Sequence, residues 1–212
     1  EYSDVTEVLR SIEMSYRRRT VFVSGSAHEY GDWGGEKSEQ FIANLGQKLI
    51  ENKLRIVAGM GLGVGNSVIA GALDQIYMRQ KEVLRDEIIM RPFPQGEDVQ
   101  GLWEAYRQDM TNYAGISIFV FGNKLSDGEI IEANGVVREF EIAHEKGHAL
   151  IPIGVTGYVA EKLWKKVLSD FETYFPNMDQ SFRDEFEKLG DKSLDEDIIM
   201  VALVKLLKEL IR

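Results

Sequence analysis

Short runs of aliphatic and β-branched residues alternate along the chain with longer segments whose apolar residues recur every three or four positions. That alternation predicts βαβ units closing into a parallel sheet. A strand over 20–24 leads into a loop carrying Gly25, Gly31, Gly34 and Gly35, and then into a helix whose Phe41, Ile42, Leu45, Leu49 and Ile50 share one face. A second strand over 54–58 runs straight into Gly59-Met60-Gly61-Leu62-Gly63-Val64-Gly65, and the next helix presents Val68, Ile69, Ala72, Leu73 and Ile76. A third strand over 87–91 stops at Pro92 and Pro94, whose fixed φ sets the exit, before a helix over about 102–114. The run Ile116–Phe121 is apolar on both faces, which places it in the middle of the sheet. A polar loop over 123–134, a helix to about Lys146 and a fifth strand over 149–154 follow. From Gly157 onward the pattern reads as two or three helices with a charged amphipathic end over 205–212; Trp164, Phe171 and Phe175 there are either core or part of a self-association surface. The fold class is α/β: a Rossmann-like, doubly wound, mainly parallel sheet with helices on both faces and extra C-terminal helices.

Ahead of the first strand, Val5, Val8, Leu9 and Ile12 form a helical stripe that runs into Arg17-Arg18-Arg19. The chain opens on Glu1 rather than Met, so residues 1–19 are read as a connector from an upstream part and 20–212 as one domain. An ordinary N-terminal helix with basic residues at its C-terminal end fits the same residues. The 212 residues, 44% hydrophobic, suffice for one core.

Charge narrows the partners. Lys and Arg total 25 against 35 Asp and Glu, a formal charge of -10 that repels nucleic acid and anionic membranes, so any phosphate must be held locally. No cysteine is present, which excludes a disulfide framework or thiolate metal site and suits a reducing compartment, the cytoplasm. The longest apolar runs are too short to span a bilayer.

Four glycines at alternate positions between a strand and a helix let a ligand approach the backbone, with helix N–H groups pointing at it, which suits a pyrophosphate. The spacing meets neither the dinucleotide fingerprint nor the Walker pattern; a tight turn with close helix packing is the plainer alternative, but such a turn rarely needs four glycines, which favours the ligand reading. The stretch His144-Glu145-Lys146-Gly147-His148 fits the zinc-protease letters, but Gly147 reads as a helix end, so the two histidines do not share a helical face and no metal site is expected. Arg107 on the helix before the central strand, Lys124 just after that strand and Glu139 near the start of the next helix are placed toward the carboxyl edge of the sheet, where doubly wound folds bind ligands. A cation there neutralises phosphate oxygens and a carboxylate accepts ribose hydroxyls. Each of the three taken alone is more simply a solvated charge.

Together these residues resemble the SLOG superfamily, which includes the LOG-type nucleoside-monophosphate phosphoribohydrolases; the likeness covers residues 20–154. Arg107-Gln108-Asp109-Met110 matches the R-x-x-M stretch of the LOG-type catalytic pair, whereas Gly135-Val136-Val137-Arg138-Glu139 keeps only the end of P-G-G-x-G-T-x-x-E. Lacking those backbone and hydroxyl donors, the loop loses much of what positions a phosphoribosyl group for hydrolysis. Within the superfamily the chain looks like the SLOG domains of Thoeris anti-phage effectors. That resemblance implies a regulatory domain with no catalytic residues and no cofactor of its own. It implies a ligand that is a cyclic ADP-ribose isomer made by a TIR-domain protein, and an upstream Sir2-like domain in cis with NAD+ as its substrate. It also implies homo-oligomers, a dimer through this domain and a tetramer at full length. Arg107, Lys124 and Glu139 match the family's ligand-contacting positions, and topology adds Gly25, Ser26, Gly59, Met60, Gly61, Gly63, Asn134 and Gly135 as lining residues. The alternative is a LOG-like phosphoribohydrolase using Glu139 and Arg107.

Overall fold

A computed structural model describes residues 2–60, 63–78, 87–92 and 100–212. Helix α1 (Tyr2–Arg17) precedes strand β1 (Thr20–Ser26), helix α2 (Gly35–Glu51), strand β2 (Arg55–Met60), helix α3 (Gly65–Met78) and strand β3 (Ile88–Pro92). Helix α4 (Gln100–Tyr113), strand β4 (Ile116–Phe121), strands β5 (Asn123–Ser126) and β6 (Glu129–Glu132), helix α5 (Asn134–Glu145) and strand β7 (Ala149–Pro152) follow. The chain then continues through α6 (Tyr158–Ser169), α7 (Phe171–Tyr174), α8 (Gln180–Lys188) and α9 (Glu196–Leu210). No described helix is long and apolar enough to cross a membrane.

The main sheet has the order β3-β2-β1-β4-β7 and every pairing in it is parallel. Alternation along β1 splits the core. Val21 and Val23 join the large cluster with Leu45 of α2 and Val68 of α3, while Phe22 packs with Val57, Met110 and Ala114 on the α4 side. Helices α2 and α3 approach each other unusually closely, because a Cβ on Gly46 would lie 1.9 Å from the Val68 carbonyl oxygen and one on Gly71 1.9 Å from that of Ala43. The chain leaves β1 toward β2 but leaves β4 toward β7, so the connections diverge between β1 and β4, and a crevice opens at the carboxyl ends of those two strands.

Three expectations need correction. The polar loop over 123–134 is mostly an antiparallel hairpin, β5 paired with β6, closed by a two-residue turn in which Asp127 (φ 52°) and Gly128 (φ 83°) are both left-handed. Beyond Gly157 the described residues form four helices rather than two or three, and Phe171 and Phe175 are 3% exposed, with Trp164 donating to the Phe186 carbonyl, so these aromatics are core and not an association surface. The fifth sheet strand stops at Pro152, and residues 154–156 form a 3-10 turn whose Thr156 hydroxyl accepts the Phe121 amide at 2.8 Å. The stripe near the N-terminus is helical, and its Val5, Val8, Leu9 and Ile12 are exposed.

Candidate functional site

Strand β4 ends abruptly. Phe121 and Gly122 take positive φ (55° and 106°), and a Cβ on Gly122 would meet Val159 at 2.5 Å, so only glycine lets the chain turn there. The turn delivers Asn123, fully buried, beneath the loop that follows β1: its side-chain oxygen accepts the amides of His28 and Glu29 at 2.9 and 3.0 Å, and its amide donates to the Glu29 carbonyl. Ser26 donates to the Asn123 carbonyl at 2.8 Å. The ends of β1 and β4 are thereby locked together, with Lys124 next in line.

Above this floor lies a cleft of about 590 Å³ lined by Gly25, Ser26, Trp103, Arg107, Lys124, Ala133, Asn134, Gly135, Val136, Arg138 and Glu139. Helix α4 carries one stripe with two jobs: Met110, with Ala114 just past the helix end, buries against the sheet, while Arg107 and Trp103, one and two turns before Met110, line the cleft. Helix α5 begins at the cleft, so its first amides and the positive end of its dipole face in. A Cβ on Gly135 would lie 2.8 Å from Nη2 of Arg107, so the absence of a side chain lets the guanidinium rest on the first turn of α5.

Glu139, only 7% exposed, points back toward the sheet, where its carboxylate accepts the Ser24 hydroxyl at 2.5 Å and faces Arg107 Nε at 3.4 Å. Burial raises its pKa above the ordinary carboxylate range, while the Ser24 hydroxyl and the Arg107 guanidinium pull it down. At 3.4 Å the Arg107 contact is an ion pair more than a strong hydrogen bond. Arg138 donates to Glu104 on α4, with Nη2 at 2.8 Å, and that bond holds the Glu104 carboxyl below its usual range. The walls therefore combine three cations, a helix start, a buried carboxyl and an apolar patch of Trp103, Ala133 and Val136.

Seven of the eleven lining residues named from sequence meet here: Gly25, Ser26, Arg107, Lys124, Asn134, Gly135 and Glu139. Gly59 and Gly63 are not among the cleft's lining residues. Gly59 ends β2 beside Arg91, and Gly63 (φ 82°) abuts the Ala27 carbonyl, which a Cβ would approach to 2.4 Å, so this glycine serves turn and packing. Met60 closes β2, and Gly61 lies outside the described residues. Sequence reading missed Trp103, Ala133, Val136 and Arg138. Trp103 stands four residues before Arg107 and Arg138 four after Asn134, spacings that put each on an already suspected helix face. The zinc-protease letters come apart as the helix end required: α5 stops at Glu145, Gly147 is left-handed, His144 stacks on Tyr174, and His148 is buried with Nδ1 2.8 Å from the Ser117 hydroxyl. Among the described residues no group of three His, Cys, Asp or Glu is placed to hold a metal ion.

Comparison with known proteins gives the family. The profile of STALD, the Sir2- and TIR-associating SLOG family, matches residues 4–210. Curated relatives include the NAD(+) hydrolase ThsA of Bacillus cereus (strain MSX-D12), 42% identical over 204 residues that cover 96% of this chain and 43% of that protein. Another is the NAD(+) hydrolase ThsA of Acinetobacter baumannii (strain 532279), 40% identical over 96% of this chain and 44% of that protein. A third, from Enterococcus faecium and of the same name, is 37% identical over 97% of this chain and 44% of its own length. The chain thus spans less than half the length of these relatives. Its sheet order, its cleft at the divergence of β1 and β4 and a family match over nearly all its residues agree, and the chain belongs to the Sir2- and TIR-associating SLOG family.

Proposed function

We propose that this chain is the ligand-sensing part of an NAD+ hydrolase in anti-phage defence. It binds a cyclic ADP-ribose isomer, made by a TIR-domain protein, in the cleft between α4, α5 and the β5–β6 hairpin. Binding there activates NAD+ cleavage by a Sir2-like domain in the same polypeptide, in a homo-oligomer. The observation that carries this reading is the convergence of Arg107, Lys124, Arg138 and the N-terminus of α5 on one cleft of a molecule whose net charge is -10. Cations gathered at a helix start make a locally positive site on an otherwise acidic molecule, and such a site suits an anion. A pyrophosphate supplies that anion, Glu139 and Asn134 suit ribose hydroxyls, and Trp103 with Val136 offers a face for the base. The volume of about 590 Å³ is in the range of nucleotide-sized sites. Activation requires that the ligand favour one arrangement of the domains over another.

A second reading rests on the Arg107–Glu139 pair. A buried carboxyl with a raised pKa, beside a guanidinium in a phosphate-sized cleft, is also what a LOG-like phosphoribohydrolase uses. The purified chain incubated with nucleoside monophosphates separates the two: the sensor releases no free base, and turnover that disappears in Glu139→Gln would establish the hydrolase. For the sensor, NAD+ cleavage by the full-length protein is expected to rise on adding a cyclic ADP-ribose isomer and to stay at its basal level in Lys124→Ala. Equal cleavage with and without every isomer would overturn it.

A further inference from the structure

Arg138 lines the cleft, yet its charge is already answered. Its guanidinium donates to Glu104 from Nε at 3.2 and 3.3 Å and from Nη2 at 2.8 Å. Nη1 reaches Glu141 at 3.1 Å and lies 3.7 Å from Glu145. Three carboxylates around one guanidinium leave an excess of negative charge. Glu141 and Glu145 lie along α5 behind Arg138, at helical spacing and 51% and 64% exposed, so solvent screens them well. Glu104, 41% exposed and so only somewhat less screened, differs in where it comes from. It comes across from α4, one residue after Trp103 and one turn before Arg107, and it makes the two-atom, fork-like contact that Arg otherwise offers to a phosphate. It also feels the positive charge of Arg107.

We infer that Glu104 is the specificity-determining residue of this cleft: it occupies Arg138 as an internal anion and restricts the cleft to nucleotides of low negative charge. The inference rests on the nucleotide-sensing reading above. With Glu104 on Arg138 and Glu139 beside Arg107, the three cations Arg107, Lys124 and Arg138 are partly neutralised, which favours a pyrophosphate diester over the more highly charged nucleoside triphosphate. A ligand phosphate and the Glu104 carboxylate compete for one guanidinium, so the empty and filled cleft differ in whether α4 is tied to α5 at this point.

Removing Glu104 therefore has the opposite sign from removing a support. Calorimetry on the wild-type chain, Glu104→Gln, Arg138→Ala and the double variant, against a panel of cyclic ADP-ribose isomers and against ATP, reads it directly. Glu104→Gln is expected to tighten the best isomer about three- to tenfold and ATP by a larger factor, and Arg138→Ala to weaken both. The double variant is expected to match Arg138→Ala within about twofold, because Glu104 acts through Arg138. If Glu104→Gln weakens binding as Arg138→Ala does, with unchanged melting temperature, Glu104 merely positions Arg138 and the inference is wrong. If the wild type binds no isomer, the sensor reading falls, and the ATP arm still decides this inference. ATP binding that appears in Glu104→Gln and vanishes in the double variant supports it; no ATP binding in either overturns it.

Discussion

Arg107 and Lys124 line one cleft from different supports, one on a helix that also packs the core and one on a short hairpin. Replacing either with Ala is expected to weaken isomer binding by about 1.5–3 kcal/mol, the scale of charge-assisted hydrogen bonds. Folding should survive both: Glu139 keeps the Ser24 hydroxyl and, without Arg107, takes up a proton more readily. A ligand-free melting temperature that falls in step with affinity would make these residues structural. His148 tests the fold by pH instead. Burial, helped by the nearby Lys146 charge, pulls its pKa from 6.5 down to about 4. Below pH 6.5 the unfolded chain takes up a proton that the folded chain refuses until about 4, so stability should fall as pH drops through that window. The loss amounts to roughly 3 kcal/mol, and urea unfolding across the window should show a clearly smaller fall in His148→Asn than in the wild type, the remainder coming from lowered carboxyls such as Glu104. At this scale the sequence was informative where a motif fixed spacing, as at Arg107 and Glu139. It was silent on Glu104 and Arg138, because a charge pair between two helices appears only once both are docked.

At the scale of elements, two glycines separate packing from binding. Gly71→Ala places a Cβ 1.9 Å from the Ala43 carbonyl oxygen and forces α2 and α3 apart. It is expected to destabilise the fold by about 3 kcal/mol in chemical denaturation. Gly135→Ala sits in the first turn of α5, where its Cβ pushes only the tip of the Arg107 side chain. The helix gains up to about 0.5–1 kcal/mol from losing a glycine. Affinity should nonetheless fall, and a variant that is as stable as the wild type or more so, yet binds more weakly, is the expected signature. Helices and sheet strands were legible because each buries an apolar stripe of the right period. The β5–β6 hairpin was not, since its strands are four residues long and β6 is exposed throughout; the Asp127-Gly128 pair did carry the signal, masked by the surrounding polar residues.

For the whole molecule, composition and topology pull in one direction. On a molecule of net charge -10, Arg107, Lys124, Arg138 and the start of α5 gather in one cleft near the ends of β1 and β4, where the two halves of the sheet diverge. Sheet order was legible only as a class: alternation of strands and helices implies a doubly wound sheet, but which strands flank the crevice follows from long-range pairing. The glycine turn over 59–65 and the Arg107–Lys124–Glu139 group both read from sequence as lining one site, whereas among the described residues the cleft is lined from β1, α4, β5 and α5. The most direct measurement is a crystal structure of this chain with its tightest-binding cyclic ADP-ribose isomer. The expected result is a pyrophosphate between Arg107, Lys124 and the first amides of α5, with a ribose at Glu139. Density for the ligand anywhere else, at the 59–65 turn above all, would contradict it.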